Sequence, residues 1–126
     1  MQTVNLYAAW IGILLGFVAG AVQGSFFHRE NWLGGYSSWP RRMLRLGHIS
    51  FFGIAFINLS YALSAEFLDL KDLSAWPSRL FIVGAATMPI ACYLSAYRKM
   101  FRHVFPIAVV SLLAGAIIFI CEVFGS

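Results

Sequence analysis

Charge is scarce in this sequence, and acid is scarcest: 126 residues carry nine Lys or Arg, five Asp or Glu, and a formal net charge of +4. Charged residues make up 11% and hydrophobic ones 60%, with a mean hydropathy of +0.78. Soluble domains run near 45–50% apolar and about 25% charged, so a water-soluble globule is excluded. With this length there is room for one domain and none for a separate soluble module. Cysteine is nearly absent too. Cys92 and Cys121 lie in apolar runs without a CxxC and without a neighbouring His, which excludes a disulfide scaffold and a zinc site. Both read as small buried hydrophobes. No basic n-region precedes the first apolar run, so no cleavable signal peptide is expected. The positive balance does not imply nucleic acid, because the basic residues sit in short loops between apolar runs, where membrane topology places them.

Four apolar stretches remain, each long enough to cross the roughly 30 Å hydrocarbon layer as a helix. Their bounds are read as about 5–27, 41–65, 77–97 and 106–124, and residues 1–126 form a single four-transmembrane-helix domain. Pro40, Pro77 and Pro106 stand at the entries of three helices, where a missing N–H does no harm. Pro89 lies inside the third and should kink it. Gly34-Gly35 marks a turn in the first loop, with Trp32, Tyr36 and Trp39 as interfacial aromatics. The stretch from Glu66 to Trp76 suits a short amphipathic turn on the membrane surface.

Seven of the nine basic residues (Arg29, Arg41, Arg42, Arg45, Arg98, Lys99, Arg102) lie in or beside the first and third loops. Only Lys71 and Arg79 lie on the other side, with Glu66, Asp69 and Asp72. The positive-inside rule therefore predicts an all-α integral membrane four-helix bundle with both termini on the non-cytoplasmic side. The expected location is the cell inner (cytoplasmic) membrane.

The first helix carries Gly12, Gly16, Gly20 and Gly24 at four-residue spacing, so one face is nearly bare of side chains. Such a ladder is a poor helix in water but a groove for close approach in a bilayer. The fourth helix (Ala108, Ser111, Ala114, Gly115, Ala116) and the second (Gly47, Ala55, Ala62) offer matching small faces. One partner is expected within the chain and another in a different subunit. Gln23, Asn58, Ser60 and Thr87 are the polar groups placed to bond across helices. No ionisable residue stands near mid-membrane, and Glu122 sits at an outer end, which weakens a transporter reading.

Topology gathers His28, His48 and His103 at one membrane face. Two imidazoles from different helices are what axial ligation of a b-type haem requires, and a porphyrin needs a wall without side chains. His48 with His103 or His28 are the candidate pairs. Arg45, with Arg41, Arg42, Arg98 and Arg102, stands at the level of the propionates. The alternative is that these groups contact lipid headgroups and fix helix depth.

Phe26-Phe27-His28-Arg29-Glu30, with Arg45-Leu46-Gly47-His48-Ile49-Ser50-Phe51-Phe52-Gly53, resembles haem-bearing helices of b-type cytochromes and haem–copper oxidase subunit I-like membrane proteins. In those, a helical His is followed within a turn or two by Gly. The resemblance covers about residues 26–53 and implies at most one haem. Ser50 stands where a second His would follow, and a mid-membrane His cluster for copper is lacking.

Three functions stay open on the sequence, and none is an enzyme. The first is a small non-catalytic subunit of a larger membrane complex that passes electrons through one haem b near the cytoplasmic face. The second is a cofactor-free assembly subunit packing through its glycine face. A small transporter is the third.

Overall fold

The computed structural model describes residues 2–125 and contains four long helices and no strands among them. They are α1 (Thr3–Phe27), α2 (Trp39–Phe67), α3 (Trp76–Tyr97) and α4 (Phe105–Phe124), all long and apolar enough to cross a membrane. Two 3₁₀ segments, Trp32–Gly34 and Lys99–Val104, shape the connections before α2 and α4. The fold class is the expected four-helix membrane bundle.

Three of the four helices open on an aromatic residue followed by proline: Trp39-Pro40, Trp76-Pro77 and Phe105-Pro106. Proline presets the backbone of the first turn and lacks only an N–H that has no partner there. Ser38 adds a side-chain cap to α2, its Oγ accepting from the Arg41 N–H at 3.4 Å. Gly34 and Gly35 form the expected turn, with φ of 89° and 97°.

The connection after α2 differs from expectation. No amphipathic helical turn forms between Glu66 and Trp76; α2 continues to Phe67 and the chain from Leu68 to Ala75 is irregular. Asp69 takes a left-handed conformation (φ 50°), its N–H reaching the Glu66 carbonyl at 3.1 Å while the Leu70 N–H reaches Ala65 at 2.9 Å. That pair of bonds is a Schellman closure, with Asp in the position glycine usually holds. It satisfies the last carbonyls of α2 and turns the chain away before a new helix can start.

The helices pack in chain order, α1 on α2, α2 on α3 and α3 on α4, with a lighter contact between α1 and α3. Small residues make these approaches possible. Gly47 of α2 receives the Tyr93 ring, Gly84 of α3 receives Leu112, and Gly115 of α4 receives Phe81. The small face of α4 (Ala108, Ser111, Gly115) is therefore buried against α3 rather than against the α1 ladder. Among the apolar core residues, Ala9, Ala91, Cys92 and Ala108 are fully enclosed.

Polar groups fasten the end of the bundle nearest the termini. The Asn5 amide donates to Asn58 Oδ1 at 2.8 Å and to the Ser78 carbonyl at 3.3 Å, and the Ser78 hydroxyl donates back to Asn5 Oδ1. Asn58 in turn donates to the carbonyls of Ile54 (3.0 Å) and Phe81 (3.4 Å). Three helices thus meet in one buried cluster. A buried amide without partners costs several kcal/mol in an apolar medium, and here both amides are engaged. At the opposite, basic end Gln23 of α1 bonds the Tyr93 hydroxyl of α3, and Trp39 Nε1 donates to the Ser95 carbonyl at 2.7 Å.

Of the four polar groups expected to bond across helices, Gln23 and Asn58 do so. Thr87 instead donates to Val83 of its own helix at 2.7 Å, and Ser60 is exposed.

Candidate functional site

The basic end is built around Arg41, the third residue of α2. The first loop folds back so that its guanidinium meets the end of α1: Nη2 donates to the Phe27 carbonyl at 2.9 Å, and Nη1 to Arg29 and Glu30 at 3.2 and 3.4 Å. Arg41 is 3% exposed. The orphan carbonyls that end a helix carry partial negative charge, so both Nη groups of the buried cation find acceptors there without a carboxylate, while Nε has no partner. The rings of Phe27, Trp32 and Tyr36 surround the same cation at 5.0–6.0 Å. Sequence reading placed Arg41 with the haem propionates; its role in the structure is to cap α1. The spacing of 14 residues between Phe27 and Arg41 carries no local signature of this cap.

Other cations sit on aromatic faces around Arg41. Arg45 lies 4.1 Å over the Tyr36 ring and donates to the Tyr36 carbonyl at 2.8 Å. Arg42, from α2 itself, and Lys99, from the segment before α4, flank Trp39 at 5.8 and 5.4 Å, and Arg29 lies over Phe26 at 5.5 Å. None has a carboxylate partner. The only ion pair among the described residues joins Lys71 to Asp69 at 3.2 Å, at the other end of the molecule.

The glycine ladder is largely covered from within the chain. Gly12 packs on Ala55 and the Phe51 carbonyl, Gly16 on the Phe52 ring, and Gly20 on the His48 imidazole. Nε2 of His48 lies 2.9 Å from where a Cβ on Gly20 would stand. Only Gly24 has nothing within 4 Å. The bare wall read from the sequence is thus a row of sockets for α2, three of its four glycines already filled.

That packing bears on haem. His48 points at the α1 backbone with Phe52 edge-on at 5.4 Å, so a porphyrin plane has no room between its ring and the glycines. His28 caps α1 and is exposed. His103 is exposed on the Lys99–Val104 segment, which packs on α3 and α4. Arg45 is held by Tyr36. The residues as arranged do not fit a b-type haem, and among the described residues no three of His, Cys, Asp and Glu are grouped to hold a metal ion.

An apolar furrow on the α1–α3 side was not apparent in the sequence. Leu15 of α1 and Phe51 of α2 line each of three adjoining hollows of about 440, 460 and 260 Å³. Phe51 forms the floor, while Val18, Ala19 and Val22 of α1 and Ala85, Ala86 and Pro89 of α3 form the walls. Its signal is the run of small residues in α3, Gly84-Ala85-Ala86, one turn before Pro89.

No protein-family model, curated protein or solved structure matches this chain.

Proposed function

We propose that this protein is a cofactor-free, non-catalytic subunit of a larger assembly in the cell inner membrane, with its termini on the non-cytoplasmic side. One observation carries the reading: an outward stripe on α1, formed by Tyr7, Trp10, Leu14 and Phe17, each more than 60% exposed. These positions recur every three or four residues and so share one side of the helix. Tyr7, Trp10 and Leu14 face away from the sockets that bind α2, while Phe17 borders them, its ring edge-on to Phe52 at 5.3 Å. In lipid, apolar faces gain from association through shape and dispersion rather than from leaving water, and a ridge of large rings offers much contact area. The flanking helices α1 and α4 have only 17% of their apolar windows buried within the chain, which leaves two sides open to neighbours. The basic, aromatic-capped end suits the cytoplasmic face by the distribution of Arg and Lys.

The test is a native gel of mildly solubilised membranes containing the full chain. Trp10→Ala with Leu14→Ala, both on the open side, should release the protein from its assembly while its helicity and thermal transition persist. An unchanged assembly would refute the reading. A reduced-minus-oxidised spectrum of the purified protein should show no Soret or alpha band. A b-type band that disappears in His48→Ala would restore the electron-transfer alternative.

A further inference from the structure

We infer that the furrow between α1 and α3 is a binding site for one anionic phospholipid, taken up by an acyl chain and held at its phosphate by Arg29. The site is separate from the α1 stripe argued above and does not depend on it.

The dimensions point to a tail. The hollow nearest the basic end, about 440 Å³, extends along α1 from Leu15 to Phe26. Eleven residues at 1.5 Å rise give about 16 Å, close to half of the roughly 30 Å hydrocarbon layer, the depth one acyl chain covers. Its lining is apolar along this length, with Val18, Ala19 and Val22 opposite Phe51 and Tyr93. A linear apolar chain fits such a slot.

The polar groups stand where a headgroup requires them. Phe26 and Trp32, stacked at 5.2 Å, close the mouth of the hollow, and the Arg29 guanidinium lies over Phe26 at 5.5 Å. Arg29 has no carboxylate partner, so an anion at the mouth meets an unneutralised cation beside an aromatic platform. One turn deeper, Gln23 lines the same hollow at 6% exposure, one amide atom bonded to Tyr93 and Oε1 without any partner. Cation and apolar slot follow in the order in which a phospholipid presents phosphate and tail.

The experiment is native mass spectrometry of the full chain released from micelles containing equal phosphatidylglycerol and phosphatidylcholine with the same tails. The wild type should retain one phosphatidylglycerol in preference to phosphatidylcholine. Arg29→Gln should lower that preference about five-fold, while Arg79→Gln, at the other end of the molecule, should leave it unchanged. Ala19→Phe and, independently, Val22→Trp should fill the slot and abolish retention of either lipid, with folding confirmed by circular dichroism. Equal retention of the two lipids by the wild type would overturn the inference, and that comparison needs no variant. So would an unchanged preference in Arg29→Gln, retention by the folded slot-filled variants, or dimer formation through a cysteine placed at Val22.

Discussion

The His48 imidazole occupies the space that a side chain at Gly20 would need, its Cε1 2.8 Å and Nε2 2.9 Å from the position of a Cβ there. The missing side chain on α1 and the ring on α2 are two halves of one contact. Gly20→Leu should therefore act inside the chain before it affects any partner, costing about 1–3 kcal/mol by overpacking. Gly24→Ala, with nothing within 4 Å, should be neutral or slightly stabilising, since alanine is the better helix former by up to about 1 kcal/mol. Denaturation of the two variants in mixed micelles separates them; equal loss would mean the ladder does not pack as described.

The Asn5–Asn58–Ser78 cluster should behave as a unit. Asn58→Leu removes the shorter bond of the Asn5 amide, leaving it only Ser78, and should cost about 1–3 kcal/mol. Adding Asn5→Leu should cost less than the sum of the single changes, because each single change already loses the one bond the two amides share. A double-mutant cycle on unfolding free energy measures this, and strict additivity would contradict the bond between the two amides.

Arg41→Ala removes the cap of α1 and takes the guanidinium donors from the carbonyls of Phe27, Arg29 and Glu30, of which Arg29 keeps the Trp32 N–H at 3.2 Å. The expected loss is about 1.5–3 kcal/mol, as for hydrogen bonds to a charged group. Arg41→Lys should recover only part of it, since an ammonium lacks the fork that spans several carbonyls. Hydrogen exchange in the last turn of α1 should rise in the order wild type, Lys, Ala.

Tyr93→Phe deletes the hydroxyl that bonds Gln23 and keeps the ring against Gly47. The change should lower stability by about 1 kcal/mol without loosening the α2–α3 contact. Gln23→Leu in the same background should restore much of that loss, because no amide is then left unpaired. Thermal melts of the three variants decide it.

The helices were legible because their signals are local: apolar length, and prolines at the second residue of α2, α3 and α4. Gln23 and Asn58 were legible as cross-helix polar groups because an amide inside an apolar run needs a partner. Their side-chain partners were not, since Asn5 lies 53 residues from Asn58 and Tyr93 lies 70 from Gln23, and nothing local marks the pairing. The glycine spacing disclosed a groove but not its occupant. His48 and Phe52, four apart on α2, carry the complementary period, yet the same period serves a face turned to lipid. The end of α2 misled for a related reason: alternating Leu and acid between Glu66 and Leu73 has amphipathic spacing, while the left-handed turn at Asp69 depends on backbone geometry that composition does not encode.

Because each helix rests mainly on the one before it, the bundle can be put together in the order of synthesis. When α2 enters the bilayer, α1 already presents its sockets, and the pair can close before any later segment exists. Asn5 and Asn58 can then pair at once, but the Ser78 contacts must wait for α3. The arrival of that third span completes the cluster and locks a hairpin made earlier. The N-terminal half is thereby a template, and an error in it is inherited by everything added afterwards.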